Sequence, residues 1–228
     1  MKTQSTSSRE FWLGVRDELP ILLGVIPFGM IYGVLALNAG LSPMDAQAMS
    51  SVVFAGSAQF MIAKLVAASA PGIVIILTGF VINLRHALYS ASIAPYTKHL
   101  PLRWKAALAY LLTDEAYAVS IIRYQHESES ANKHWHLLGA GLALWLCWQI
   151  STGIGIFLGA QIPPAWGLDF ALPLTFIALV VPGLKDRPGI TSAVAASLSA
   201  LLFFSLPYKL GLLISAFIGI AAGLWSEK

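Results

Sequence analysis

The chain has 228 residues, 57% of them apolar and 11% charged, with a formal net charge of +3 and a mean hydropathy of +0.73. A soluble domain carries about 25% charged residues, so these totals exclude an ordinary soluble protein and fit an all-α, polytopic membrane protein folded as one domain over residues 1–228. The small net charge reflects loop Lys and Arg and leaves no nucleic-acid footprint. The single cysteine, Cys147, permits no internal disulfide and reads as packing.

Residues 1–18 are polar, and Arg9 to Arg16 suggest a short interfacial helix with Phe11 and Trp12 on its apolar side. The acids in this region and the length of the apolar run Leu19–Leu41 argue against a signal peptide. That run is the first span, with Pro27 suggesting a kink and Gly29 and Gly33 close helix contact. Asp45–Ala68 has membrane length but holds Gln47, Ser50, Ser51, Ser57, Gln59 and Lys64. Its centre, Phe54-Ala55-Gly56-Ser57-Ala58-Gln59-Phe60, suits either a broken or re-entrant helix or a buried helix with small residues at its contacts.

Gly72–Ile93 is the next span and carries Asn83-Leu84-Arg85-His86-Ala87-Leu88-Tyr89. A basic loop leads into a span over Lys105–Arg123, which contains Leu112-Thr113-Asp114-Glu115. His134 and His136 read as loop residues, and their spacing gives no shared helix face and no metal cluster. Leu137–Ala160 is a further span. Asp169–Leu184 is short and cut by Pro173 and Pro182, so it reads as a second broken or re-entrant segment. Gly189–Leu206 and Tyr208–Trp225 are the last spans. Gly211, Ser215, Gly219 and Gly223 form a small-residue stripe on the final one, suited to packing within the chain or to a subunit interface.

The fold expected is thus six full spans plus two broken or re-entrant segments, with eight spans as the alternative. Halves at about 19–123 and 137–225 share a weak pattern. Three crossings in each would invert the second half, as in the inverted repeats of secondary transporters. With six crossings and the N-terminus inside, Lys2, Arg9, Arg16, Lys98, Arg103, Lys105, Lys185, Arg187 and Lys228 lie inside, against Arg123, Lys133 and Lys209 outside. The positive-inside rule prefers that arrangement modestly to eight crossings.

Ionisable groups are costly inside a bilayer and mark function there. Arg85 lies ten residues before Pro95 and Asp114 ten after Trp104. At 1.5 Å per residue both sit roughly 15 Å from the intervening loop, on neighbouring antiparallel helices. Tyr110 and Tyr117 share a helix face with Asp114. Arg85 cannot shed its proton, so it needs Asp114, Glu115 or a substrate carboxylate. Gln59, Asn83, Arg85, His86, Tyr89, Asp114 and Glu115 together suit a zwitterionic amino acid. The plainer readings are a fixed Arg85–Asp114 ion pair, a hydrogen-bonded core histidine, a helix–helix hydrogen bond at Gln59 and packing tyrosines.

The motifs at 54–60, 83–89 and 112–115 resemble those of the AzlC family, large subunits of branched-chain amino acid exporters. The likeness covers nearly the whole length and is strongest from about 20 to 120. It implies a bacterial inner-membrane exporter of valine-like amino acids, with a small AzlD-type membrane subunit as partner. No P-loop is present, so ATP hydrolysis within this chain is not the driving force, and no cofactor or metal is expected. A proton gradient is the natural source, with Asp114, Glu115 or His86 as carrier. Competing classes are a permease for another small zwitterion, a non-transporting scaffold subunit, and an intramembrane enzyme. The last lacks a nucleophile in an activating motif.

Overall fold

The computed structural model describes residues 6–126, 132–160, 184, 186–206 and 210–227. Among them are ten helices and no strand: α1 (Ser7–Asn38), α2 (Pro43–Val53), α3 (Gly56–Ala67), α4 (Gly72–Asn83), α5 (Arg85–Thr97), α6 (Leu102–Leu111), α7 (Asp114–His126), α8 (Lys133–Gly159), α9 (Arg187–Leu202) and α10 (Leu210–Ser226). Their contacts cluster into two compact units, Met1–Ala63 with Gly79–Pro163 and Lys64–Thr78 with Pro164–Lys228. Three helical stretches among the described residues are long and apolar enough to cross a membrane: Ser7–Asn38, Gly72–Thr97 and Lys133–Gly159. The segment expected at 169–184 lies outside the described residues, apart from Leu184.

The expected interfacial helix is the first part of α1, which runs unbroken through Pro20 and Pro27. Thr6 caps it by accepting a hydrogen bond from the Arg9 amide. Glu10, Gly14, Glu18, Val25, Gly29, Tyr32, Gly33, Val34 and Ala36 are its buried residues, and all but Val34 follow a stripe along one side. That spacing is one helix face, so the two acids belong to the inward stripe and the first turns belong to the bundle.

Helices α1 and α8 run side by side in the same direction, in the most extensive contact of the fold. Gly14 meets the backbone of His136, Gly29 meets Ser151, and Gly33 meets Thr152 and Gly155. The expected role of Gly29 and Gly33 in close helix contact is therefore met, with α8 as the partner. A Cβ at Gly155 would collide with the backbone of Met30. Gly155→Ala is therefore expected to destabilise the fold by about 1–3 kcal/mol, since neither backbone can yield cheaply. Thermal unfolding in detergent measures this, and a variant melting with the wild type would contradict so close an approach.

Two segments fold back on themselves. The first is α2–α3. Its turn is at Phe54, held in the left-handed region (φ 33°, ψ 52°). Gly56 touches Trp148 and Gln47 bonds Gln149, yet Phe60 packs on Phe28 and Tyr32. Helix α3 therefore returns toward the end of the bundle from which α2 came. Its Ile62 meets Gly79 of α4.

The second is α6–α7, where a full span was expected. At its base Trp104 packs on His134 and Trp135, while Tyr124 bonds the carbonyl of Lys133. At its tip Tyr110 accepts a hydrogen bond from Trp145, and Leu111 meets Gly141. Both arms thus start and end beside the first turn of α8, and the chain reverses at Leu112-Thr113. The reversal is capped: Thr113 Oγ1 accepts from the Ala116 amide, 3.3 Å away. His134 and His136, expected in a loop, lie in the first turn of α8, with His136 fully buried.

In the other unit, Gly211, Gly219 and Gly223 of α10 face Phe203, Ala196 and Ser192. The small-residue stripe is thus occupied by packing within the chain, against α9.

Candidate functional site

The tips of the two hairpins approach each other from opposite ends of the bundle, and Phe54 packs on Tyr110. A helix that stops inside a membrane leaves unpaired backbone groups that other residues must satisfy. Here side chains do so. Tyr110 donates to the Ser51 carbonyl at 2.6 Å and Gln149 to the Ser50 carbonyl at 3.2 Å, both in the last turn of α2. Gln59 accepts from the Ala55 amide at 3.2 Å. Leu84 interrupts α4–α5 with a tighter, three-residue turn, in which the Ala87 amide reaches the Leu84 carbonyl. Such a turn in mid-helix often marks a functional hinge.

Three helix starts therefore converge, and each contributes one polar side chain. Arg85, first residue of α5, donates from Nη1 to Asp114 Oδ2 at 3.1 Å. Asp114 is the first residue of α7. Arg85 Nη2 donates to Ser57 Oγ, in the first turn of α3, at 2.9 Å. The side chains of Arg85 and Asp114 are 30% and 42% exposed, so the pair is open on one side. Four nearby groups have buried atoms without a protein partner: Gln59 Nε2, Asn83 Oδ1, Arg85 Nε and His86 Nε2. Hydrogen-bonding capacity thus remains unused where the broken helices meet.

Helices α5 and α7 run parallel, not antiparallel as expected. Arg85 meets Asp114, Ser92 bonds Tyr117 at 2.9 Å, and Tyr96 packs on Tyr124. The reason is the hairpin, which inserts α6 between them in the chain. The same break removes Tyr110 from the face of Asp114, and Tyr110 instead caps α2. Tyr89 stacks on Tyr117 with ring centres 4.7 Å apart. Glu115 follows Asp114 in the first turn of α7 but is not the residue that pairs with Arg85.

A cavity of about 330 Å³ runs between α5 and α6, from Lys98 and Lys105 past Ala94 and Ala109 to Ser90 and Leu112. It reaches the tip of the α6–α7 hairpin from the basic end of the bundle.

Sequence reasoning missed a second polar cluster. Arg123 of α7 donates from both Nε and Nη2 to the two carboxylate oxygens of Glu10, each at 2.9 Å. Glu10 is fully buried and the Arg123 side chain 17% exposed. His136 Nε2 lies 3.0 Å from Asp17 Oδ2, and its Nδ1 lies 3.4 Å from Ser120. Glu10 and Glu18 are two turns apart, which is the one sequence signal that both face inward.

The sequence model of the AzlC protein family matches residues 20–162. The inner membrane protein YgaZ of Escherichia coli K12 is 26% identical over 228 residues, covering 96% of this chain and 93% of its own length. A membrane protein of Archaeoglobus fulgidus is 31% identical over 228 residues, with 98% of each chain covered. The branched-chain amino acid transport protein AzlC of Bacillus subtilis is 25% identical over 187 residues, with 79% of this chain and 72% of its own length covered. These relatives carry the names of membrane and transport proteins. No solved structure matches the chain.

Proposed function

The chain belongs to the AzlC protein family, and we propose on that premise that it is the large subunit of a proton-driven exporter of valine-like amino acids. It sits in the bacterial inner membrane and works with a small AzlD-type membrane subunit.

One observation carries this reading: the contrast between two arginine–carboxylate pairs. Arg123 and Glu10 engage through two parallel hydrogen bonds and are sealed, as a fixed structural pair should be. Arg85 gives Asp114 a single hydrogen bond, keeps Nε without a partner, and is open on one side. Its fork is available to a substrate carboxylate. Asp114, once released, takes the ammonium group. Gln59, Asn83, His86 and Tyr89 complete the polar wall, and apolar neighbours hold an aliphatic side chain.

Direction follows from charge. Arg9, Arg16, Lys98, Arg103 and Lys105 lie at one end of the unit that holds the site, together with Arg123 and Lys133, which the six-crossing reading sets on the opposite side. The positive-inside rule makes that end cytoplasmic, with the N-terminus inside. The cavity behind Lys98 and Lys105 then opens to the cytoplasm and serves as the loading vestibule. About ten waters' worth of volume accommodates a small amino acid.

Growth on toxic valine-containing dipeptides tests the reading. Cells with this gene and its neighbour should tolerate several times more dipeptide than cells without them, and equal sensitivity would refute valine export. Export assayed in proteoliposomes should accelerate with an imposed pH gradient. A rate indifferent to that gradient would remove the proton from the scheme.

A further inference from the structure

Glu18 is fully buried on α1, and neither of its carboxyl oxygens has a hydrogen-bond partner. A lone carboxylate away from water costs several kcal/mol, so a protein tolerates such a group only when something binds to it. The fixed pair at Glu10 and Arg123 locates what lies beside it. Helix α1 runs antiparallel to α7, as the contact of Glu10 with Arg123 and the shared neighbourhood of Asp17 and Ser120 around His136 require. Eight residues onward from Glu10 is Glu18, and eight residues back from Arg123 is Glu115. Both stand about 12 Å from the fixed pair, at one level on adjoining helices.

We propose that Glu18, with Glu115 beside it, is the binding site of the proton that drives export. This rests on the transport reading and adds to it a second site, distinct from the substrate grip at Arg85. The proton binds one carboxylate oxygen as O–H and leaves from the same atom toward the cytoplasm, with no other bond made or broken. Two acids at one level resist being charged together, so the proton occupancy of Glu18 and the charge of Glu115 are linked.

Glu115 adjoins Asp114 in the first turn of α7. When a substrate ammonium draws Asp114 away from Arg85, the charge balance beside Glu115 changes. The two sites therefore communicate through a single helical turn. Water at the cytoplasmic end is reached through Asp17, whose side chain is 45% exposed and which is bonded to buried His136.

The formally charged residues of the helices packed against α1, and the buried His136, are accounted for. On α7 these are Glu115, Asp114 held by Arg85, and Arg123 held by Glu10. On α8 they are His136, held by Asp17, and Lys133, which donates to the Tyr124 carbonyl. On α2, Asp45 lies at the opposite end, bonded by Ser42.

The test uses everted membrane vesicles from bacteria expressing the full chain with its neighbouring gene, where export appears as uptake of labelled valine. Glu18→Gln should lose uptake driven by a pH gradient by at least about tenfold. It should keep valine–valine counterflow, which needs no net proton movement, within about twofold. Glu18→Asp should retain driven uptake with its pH midpoint displaced by about half a unit or more. A Gln variant that still couples to the gradient overturns the proposal. So does one that loses counterflow as well while the Asp variant keeps the wild-type midpoint. Should the Gln variant not fold, the Asp midpoint decides alone. A wild type with counterflow but no response to the gradient would bring down proton coupling itself, a failure distinct from a misplaced site.

Discussion

Arg85→Ala is expected to abolish export while leaving the protein assembled in the membrane. The guanidinium supplies the strongest directional contact available to a carboxylate, and two charge-assisted hydrogen bonds are lost together with it. Each is worth about 1.5–3 kcal/mol, so transport should fall by on the order of a hundredfold or more. Folding should survive for reasons visible around the site. The side chain of Asp114 is 42% exposed, so its carboxylate can be hydrated once the cation is gone. Ser57 loses one acceptor role at the start of α3, a site not closed to solvent. Arg85→Lys preserves the charge but not the fork, and should transport weakly. The measurement is valine export set against the yield of detergent-stable protein. Undiminished export with alanine at this position would support a scaffold subunit. Loss of the folded protein would show the pair with Asp114 to be structural, and the contrast with Glu10–Arg123 would lose its meaning.

Arg85 and Asp114 were legible because charge is rare in apolar sequence and because a short loop limits how far apart two helices can lie. Those two facts survive any local rearrangement. The direction of the helices did not follow from them. A reversal usually announces itself through Gly or Pro, as Gly56 does beside Phe54. Leu111-Leu112-Thr113-Asp114 carries neither, and the turn there is set by the Thr113 cap and by packing of Leu111 on Gly141. Packing between distant segments leaves no local mark. The N-terminal acids were misplaced for a related reason. Residues 1–18 read only as a polar stretch with a short interfacial helix, yet Glu10 finds its partner 113 residues away. Only the eight-residue interval between Glu10 and Glu18 hinted at a common face.

Glu10→Ala should do the opposite of Arg85→Ala: it should spoil the fold and spare the chemistry. The Arg123 side chain is 17% exposed and directs two hydrogen bonds to a carboxylate that is wholly out of water. Removing one partner of such a pair costs about 3–5 kcal/mol, because the remaining charge stays in a poorly solvated place. The melting temperature in detergent should drop by on the order of 10 °C, and α1 should loosen from α7. Replacing both partners, as in Glu10→Leu with Arg123→Leu, should recover much of that loss, since apolar side chains of similar volume often serve as well as a buried ion pair. Protein that does fold in the single variant should transport valine with an unaltered KM, since neither residue touches the Arg85 site. A Glu10→Ala variant as stable as the wild type but unable to export would reverse the roles assigned to the two arginines. The fixed pair would then be part of the moving machinery, and Glu18, whose level was reckoned from it, would have to be placed again.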